Sequence, residues 1–242
     1  MTNILIPIAG LGSRFPVDIY KTTKPLIKIN GISMIEHAIN SLSIKGKYNF
    51  VVRDNIFFDE LYSTLKNIEP TCNIIKIDKL TNGPAETCLM AKDFINNDEE
   101  LIITNSDQIM WWDSDLFLQV ARNSKYDGVI VTYTTNTDKN SYAKINKNGL
   151  VLEIKEKEVI SDISLNGIHY WKHGKDFVDS ANKMILNNER YNGEFYVGPT
   201  YNSMIKDGKK IGIYHIPSFQ HNAVGVPSDL ELYMEKLWKL EE

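Results

Sequence analysis

An α/β fold, with a mostly parallel central sheet, helices on both faces and a second half of mixed β structure, is what this sequence predicts. Three observations carry that reading. Short apolar runs alternate with amphipathic helical patterns through the first half, which is the rhythm of a parallel sheet. After about residue 128, strand-like runs follow one another at short spacing, divided by turn signals instead of helices. The composition, 43% hydrophobic and 24% charged over 242 residues, is that of a globular chain able to bury a large core. No repeat, low-complexity tract or linker-like segment interrupts it. We therefore read residues 1–242 as one domain, with halves at about 1–127 and 128–242.

Taken in order, Asn3 to Ile8 is a continuous apolar run, read as a buried strand. Ile32 to Leu42 reads as a helix with Ile35, Ala38, Ile39 and Leu42 on one face. Phe50 to Val52 is a second strand, Phe57 to Leu65 a second helix, and Asn73 to Ile77 a third strand. Pro84, a good first-turn residue, opens a helix that carries Ala85, Cys88, Leu89, Ala91 and Ile95. Leu101 to Ile103 is another buried strand, ending in Asn105-Ser106-Asp107. In the second half, Val129–Tyr133, Ala143–Ile145, Leu150–Ile154 and Ile163–Tyr170 read as strands. Asn148-Gly149 is a hairpin turn between two of them. Phe177 to Ile185 is helical, Ile211 to Ile216 a strand, and Leu230 to Leu237 a closing helix.

Several classes are excluded. A net charge of -4 is the wrong sign for a nucleic-acid partner. Two cysteines, Cys72 and Cys88, cannot build a disulfide framework or metal cluster, and Cys88 reads as a buried thiol. The five histidines show no paired metal-ligand spacing. No apolar run approaches a membrane span, and the start lacks a basic, then apolar, leader, so we expect a cytosolic protein with no membrane partner. The oligomeric state stays open, a homo-oligomer included.

The chemistry concentrates after the first strand. Gly10 and Gly12 sit in a loop where backbone N–H groups can approach an anion. Arg14 and Lys24 follow, both suited to phosphate oxygens. The dinucleotide fingerprint fails because Phe15 stands where a third glycine is needed, and no Gly-Lys-Ser/Thr follows. Arg14 and Lys24 could each be surface charges flanking an ordinary loop. Together with the glycines they point to a nucleoside triphosphate.

Ala9-Gly10-Leu11-Gly12-Ser13-Arg14-Phe15, with Lys24-Pro25 downstream, resembles the signature of the sugar-phosphate nucleotidylyltransferases, the family of glucose-1-phosphate thymidylyl-, uridylyl- and cytidylyltransferases. The resemblance implies a Rossmann-like nucleotide-diphospho-sugar transferase fold. It implies that Ala9, Gly10, Gly12 and Ser13 wrap the triphosphate, that Arg14 stabilises the pyrophosphate leaving group, and that Lys24 contacts the α-phosphate region. Gly83-Pro84-Ala85-Glu86 resembles the segment that approaches the base, which assigns Gly83 and Ala85 to the nucleotide; Asp78 lies near where a glutamine is usual. Asp107 resembles the family's Mg²⁺-binding Asp, a turn-capping Asp being the alternative. Glu156-Lys157 resembles a pair beside sugar and phosphate, although a run of alternating charges is also an ordinary solvated segment. Asn166-Gly167 resembles a strand segment that meets the sugar. Glu194 resembles an acidic position on sugar hydroxyls, with a helix-start carboxylate as the alternative. Tyr142, Trp111 and Trp112 are expected to pack, with bordering the pocket as the alternative for each.

One departure stands out. Val224-Gly225-Val226-Pro227-Ser228-Asp229-Leu230 resembles the family's closing element, but Ala223 occupies the position of a second metal-binding Asp, so that either Asp107 works with phosphates and water alone or Asn222, His221 or another residue helps. The implied activity joins an NTP, with a pyrimidine base favoured, to a sugar 1-phosphate or related phosphorylated compound, releasing pyrophosphate. Two alternatives remain: a glycosyltransferase holding metal on Asp113-x-Asp115, and a non-catalytic nucleotide-sugar-binding subunit. Against the first, Ser114 or Asp115 reads as a helix cap.

Overall fold

The computed structural model describes residues 1–241, with the backbone alone for Leu240 and Glu241. Its strands are β1 (Asn3–Ile8), β2 (Lys28–Ile29), β3 (Ile32–Ser33), β4 (Lys47–Arg53), β5 (Asn73–Ile77), β6 (Leu101–Ile103), β7 (Gln108–Met110), β8 (Gly128–Thr134), β9 (Ser141–Ile145), β10 (Val151–Glu156), β11 (Ile163–Trp171), β12 (Ile211–His215) and β13 (His221–Ala223). Its helices are α1 (Val17–Tyr20), α2 (Met34–Leu42), α3 (Phe58–Ile68), α4 (Pro84–Leu89), α5 (Lys92–Ile95), α6 (Ser114–Ala121), α7 (Gly174–Leu186), α8 (Tyr201–Lys206) and α9 (Pro227–Glu241).

The central sheet is nine-stranded. β5, β4, β1 and β6 lie side by side, all parallel. β11 then runs antiparallel to β6 and to β8, and β12 is parallel to β8. All of these point one way except β11, so the sheet is mostly parallel, as the alternating rhythm implied. The β9–β10 hairpin extends it from the Ser164 end of β11, and Gly149 closes that hairpin with φ +75°.

Strand β1 shows why such runs are continuously apolar. Leu5 packs into the core cluster beneath α4, α5 and α7, while Ile4, Ile6 and Ile8 enter the cluster beneath α2, α3 and α6. Both faces of the strand are covered, so alternation gives way to an unbroken hydrophobic run. In α2, Met34, Ile35, Ala38, Ile39 and Leu42 are buried, the stripe expected of a helix packed on a sheet.

Several element bounds differ from the sequence expectation. Ile32 and Ser33 do not start α2. They pair with Lys28 and Ile29 around Asn30-Gly31, both at positive φ, the backbone that a two-residue hairpin turn requires. The segment from Pro84 to Ile95 forms α4 and α5 as separate helices. The cap of α6 is Asp113, neither Ser114 nor Asp115: its Oδ1 accepts from the N–H groups of Asp115 at 2.9 Å and Leu116 at 3.3 Å. The small β7–β13 sheet and α8 carry no local signal that the sequence reading used.

A third apolar cluster ties the site together. Phe15, Ile27, Ile29, Met34, Ile109, Val224, Leu230 and Tyr233 bury one another. The glycine loop, β7 and the start of α9 thereby meet around one small core, although they are far apart in sequence.

Candidate active site

Ligand crevices in doubly wound sheets open at the carboxyl ends of strands where chain order reverses. Here β1 is flanked by β4 on one side and β6 on the other. The loops that leave β1 and β6 carry Arg14 and Asp107, and both side chains line a single cleft of about 760 Å³. Lys157, Glu156, Asn166 and Gly167 line the same cleft.

The loop after β1 turns tightly: Phe15 N–H donates to Gly12 O at 2.9 Å, and Gly12 has φ +64°. A Cβ on Gly12 would lie 3.3 Å from Lys24 Cβ, so a glycine brings this loop against Lys24. Lys24 Nζ donates to Asp107 Oδ2 at 2.5 Å. Gly225 completes the corner, since a Cβ there would meet Asp107 Oδ2 at 2.7 Å and Lys24 Nζ at 3.7 Å. Ala9 is buried, whereas Gly10, Ser13 and Arg14 are exposed. Pro84 lines the cleft, and its neighbours Gly83 and Ala85 are buried behind it.

Gly83 adopts φ +123° with no space for a side chain: a Cβ would meet Phe195 N at 2.5 Å and Phe195 O at 2.6 Å. Phe195 N–H donates to Asn82 O at 2.7 Å, and Ala85 N–H donates to Phe195 O at 2.9 Å. The start of α4 is thus stitched to the segment carrying Glu194. Asp78 is exposed and does not line the cleft.

On the opposite wall, β11 breaks register between Leu165 and His169. Bulges of this kind re-aim side chains beside functional sites. Gly167 takes φ +99°, and the space its missing Cβ leaves is filled by the Asn105 amide and by Gln108 Oε1. Asn166 is buried, its Oδ1 accepting from Ile168 N–H at 2.9 Å. Glu156 is buried, accepts a hydrogen bond from Ser141 Oγ, and has its carboxyl pushed up by that burial. Lys157 holds φ +51°, uncommon for a residue with a side chain. Its ammonium donates to Tyr196 Oη at 3.0 Å. Glu194 does not line the cleft; it stands behind Tyr196, accepting from Tyr196 Oη at 2.6 Å.

Gln108, His169 and Tyr196 line the cleft without having been singled out in the sequence, whereas His221 and Ala223 were. Gln108, one residue past Asp107, and His169 are buried with Oε1 and Nδ1 respectively unpartnered, and burial drives the His169 imidazole down to about 3. His221 packs against Tyr133, the rings tilted by 35° with centroids 4.5 Å apart, and burial lowers it to about 4. Ala223 lines the cleft, and its neighbour Val224 donates to Asp107 O at 2.8 Å. Asn222 turns away, its amide bonded to Ile109 O at 3.2 Å and its Oδ1 to Lys236 at 2.9 Å. Asp113 and Asp115 do not line the cleft, Asp113 being spent on capping. Tyr142 is buried and donates to Thr137 O at 2.5 Å; Trp112 packs on Phe117 and Trp111 on Tyr233.

The sequence profile described as Nucleotidyl transferase matches residues 5–219. The chain belongs to the nucleotidyl transferase family. Like its relatives it is a nucleotidyltransferase, and the family's substrates are nucleotides with sugar phosphates or related compounds. It is 27% identical over 170 residues to the choline-phosphate cytidylyltransferase of Haemophilus influenzae, covering 70% of this chain and 68% of that protein. It is 26% identical over 239 residues to the bifunctional protein GlmU of Clostridioides difficile, covering 94% of this chain but 49% of that protein. The structure of a nucleoside-diphosphate-sugar pyrophosphorylase from Vibrio cholerae superposes with a TM-score of 0.82 at 24% identity, covering 96% of this chain and 99% of that one. No helix among the described residues is long and apolar enough to cross a membrane.

Proposed function

We propose that this enzyme transfers the nucleotidyl group of a pyrimidine NTP to the phosphate of a sugar 1-phosphate or related small phosphorylated compound. The observation that carries this is one cleft lined by Arg14, Lys157 and Asp107, with Lys24 paired to Asp107 at its edge. An acceptor phosphate oxygen attacks the α-phosphorus in line. The new P–O bond forms as the α–β bridging bond breaks, and pyrophosphate leaves with the electron pair. The nucleophile is already an anion, so no base is required. The obstacle is repulsion between two anions and charge growing on the leaving group, which positioning and fixed positive charge relieve. Arg14 faces the leaving group, Lys24 the α-phosphate, and Lys157 the acceptor phosphate. Ala9, Gly10, Gly12 and Ser13 cradle the triphosphate, Gly83 and Ala85 border the base, and Glu156, Asn166, Gly167 and Glu194 shape the acceptor side.

The donor set fits Mg²⁺ arriving on a polyphosphate. Asp107 offers one carboxylate, and no cluster of three His, Cys, Asp or Glu side chains able to hold a metal is present among the described residues. Mg²⁺ commonly takes one or two carboxylates and completes its shell with phosphate oxygens and water. Bound there, it would supply further positive charge to the phosphates. We place the product in surface-polysaccharide synthesis and the reaction in the cytoplasm, where NTPs are available.

The test is pyrophosphate release across four NTPs and a panel of hexose 1-phosphates, polyol phosphates and phosphocholine. Release is expected for a pyrimidine NTP with one acceptor class, abolished by EDTA and restored by excess Mg²⁺. Release undiminished by EDTA would remove the metal from Asp107, and silence across the panel would remove the reading.

A further inference from the structure

We propose that Tyr196 is a positioning residue that holds Lys157 at the acceptor wall, with Glu194 as its brace. This rests on the transfer reaction proposed above. The device begins with a turn. Asn192 and Gly193 both have positive φ, and Tyr191 and Glu194 exchange backbone hydrogen bonds across them at 2.9 and 3.0 Å. This is the two-residue hairpin that Asn-Gly favours. It sets Tyr191 and Glu194 side by side, and the backbone bonds of Phe195 to Asn82 and Ala85 fix the chain that follows. Tyr196 therefore leaves a rigid segment.

Its hydroxyl makes two contacts at once, donating to Glu194 Oε2 at 2.6 Å and accepting from Lys157 Nζ at 3.0 Å. A hydroxyl polarised by a carboxylate accepts more strongly from an ammonium. The Lys157 ammonium also lies 4.9 Å from the centroid of Tyr196 and 5.6 Å from that of Tyr191, within cation–π range. The backbone adds its part: Lys157 is held at φ +51° while its N–H donates to Asn140 O at 2.9 Å. A side chain with four rotatable bonds is thus restrained at its base and at its tip. Glu194 is exposed and lies behind Tyr196, so its contact with Lys157 runs through the phenol. An ammonium fixed in advance loses less freedom when the acceptor phosphate arrives, which is how positioning accelerates transfer.

Tyr196→Phe keeps the ring and removes the hydroxyl, while Glu194→Gln removes the brace's charge. With the NTP and acceptor found in the release panel, Tyr196→Phe is expected to raise KM for the acceptor about tenfold. KM for the NTP stays unchanged, and Glu194→Gln shifts acceptor KM in the same direction by less. In a Lys157→Ala background, Tyr196→Phe adds nothing further. An undiminished Tyr196→Phe effect in that background, or an equal rise in NTP KM, overturns the proposal. A second readout needs no turnover: lysines dimethylated with ¹³C, with Lys157 assigned through Lys157→Arg. The Lys157 resonance is expected to stand apart from the exposed lysines and to move toward them in Tyr196→Phe. An unmoved resonance overturns the proposal. An enzyme silent across the whole panel contradicts the transfer reaction, and this spectrum still decides the role of Tyr196.

Discussion

At the scale of single residues, the account places the greatest demand on Arg14. Its guanidinium is exposed on the cleft wall, so removing it leaves the core intact. Arg14→Ala is expected to lower turnover on the order of 10²–10³ with no change in melting temperature, checked by pyrophosphate release beside a thermal melt. Arg14 and Lys24 were legible in the sequence because two cationic types follow a two-glycine loop. Glu194 was read as an acid on the acceptor; its place outside the cleft lining, bonded to Tyr196, was not legible. Which of two neighbouring polar residues faces a cleft depends on the local backbone, and here that is set by the Asn192-Gly193 turn. Ala223 shows the reverse: its place beside Asp107 depends on β13 reaching β7, a pairing between segments more than a hundred residues apart that no local pattern announces.

At the scale of elements, the start of α4 and the 194–196 segment work as one unit joined through Phe195. Gly83 is its tightest point. Gly83→Ala puts a Cβ against the Phe195 backbone and forces a side chain into φ +123°. The expected result is a loss of about 1–3 kcal/mol in urea stability together with weakened NTP affinity, because Pro84 and Ala85 shift with it. The element bounds of β1 and β5 were readable to the residue: β1 is an apolar run buried on both faces, and β5, half-buried at the sheet edge, is a short isoleucine-rich run between polar loops. The β2–β3 hairpin was missed although its Asn30-Gly31 signal is the same dipeptide that marked Asn148-Gly149. Its strands are so short that the adjoining helical period swallowed Ile32 and Ser33.

At the scale of the whole molecule, the histidines on the cleft floor couple the site to global stability. His169 is buried and its imidazole stays neutral down to about pH 3, against an ordinary value of 6.5. Between those values the unfolded chain takes a proton that the folded protein refuses, so stability falls as pH falls through this window. At pH 5 the difference amounts to about 2 kcal/mol. His221 acts in the same direction. Glu156, whose carboxyl is pushed up by burial, opposes them by favouring the folded state on acidification. The urea midpoint is expected to be lower at pH 5 than at pH 7, and the gap to narrow in His169→Gln; an unchanged gap would contradict the assignment to His169. The alternating half of the fold was legible because each strand and helix carries its own period. The closure of the cleft was not, because Phe15, Ile109, Val224 and Leu230 meet only in the third core cluster.

The most direct test of the account is ³¹P NMR of the reaction with the best NTP and acceptor pair, for the wild type and for Arg14→Ala. The account predicts a diphosphate linkage between nucleoside and acceptor, formed in step with an equal amount of pyrophosphate, and nearly absent in the folded variant. Release of nucleoside diphosphate in place of pyrophosphate, or full product formation by Arg14→Ala, would contradict it.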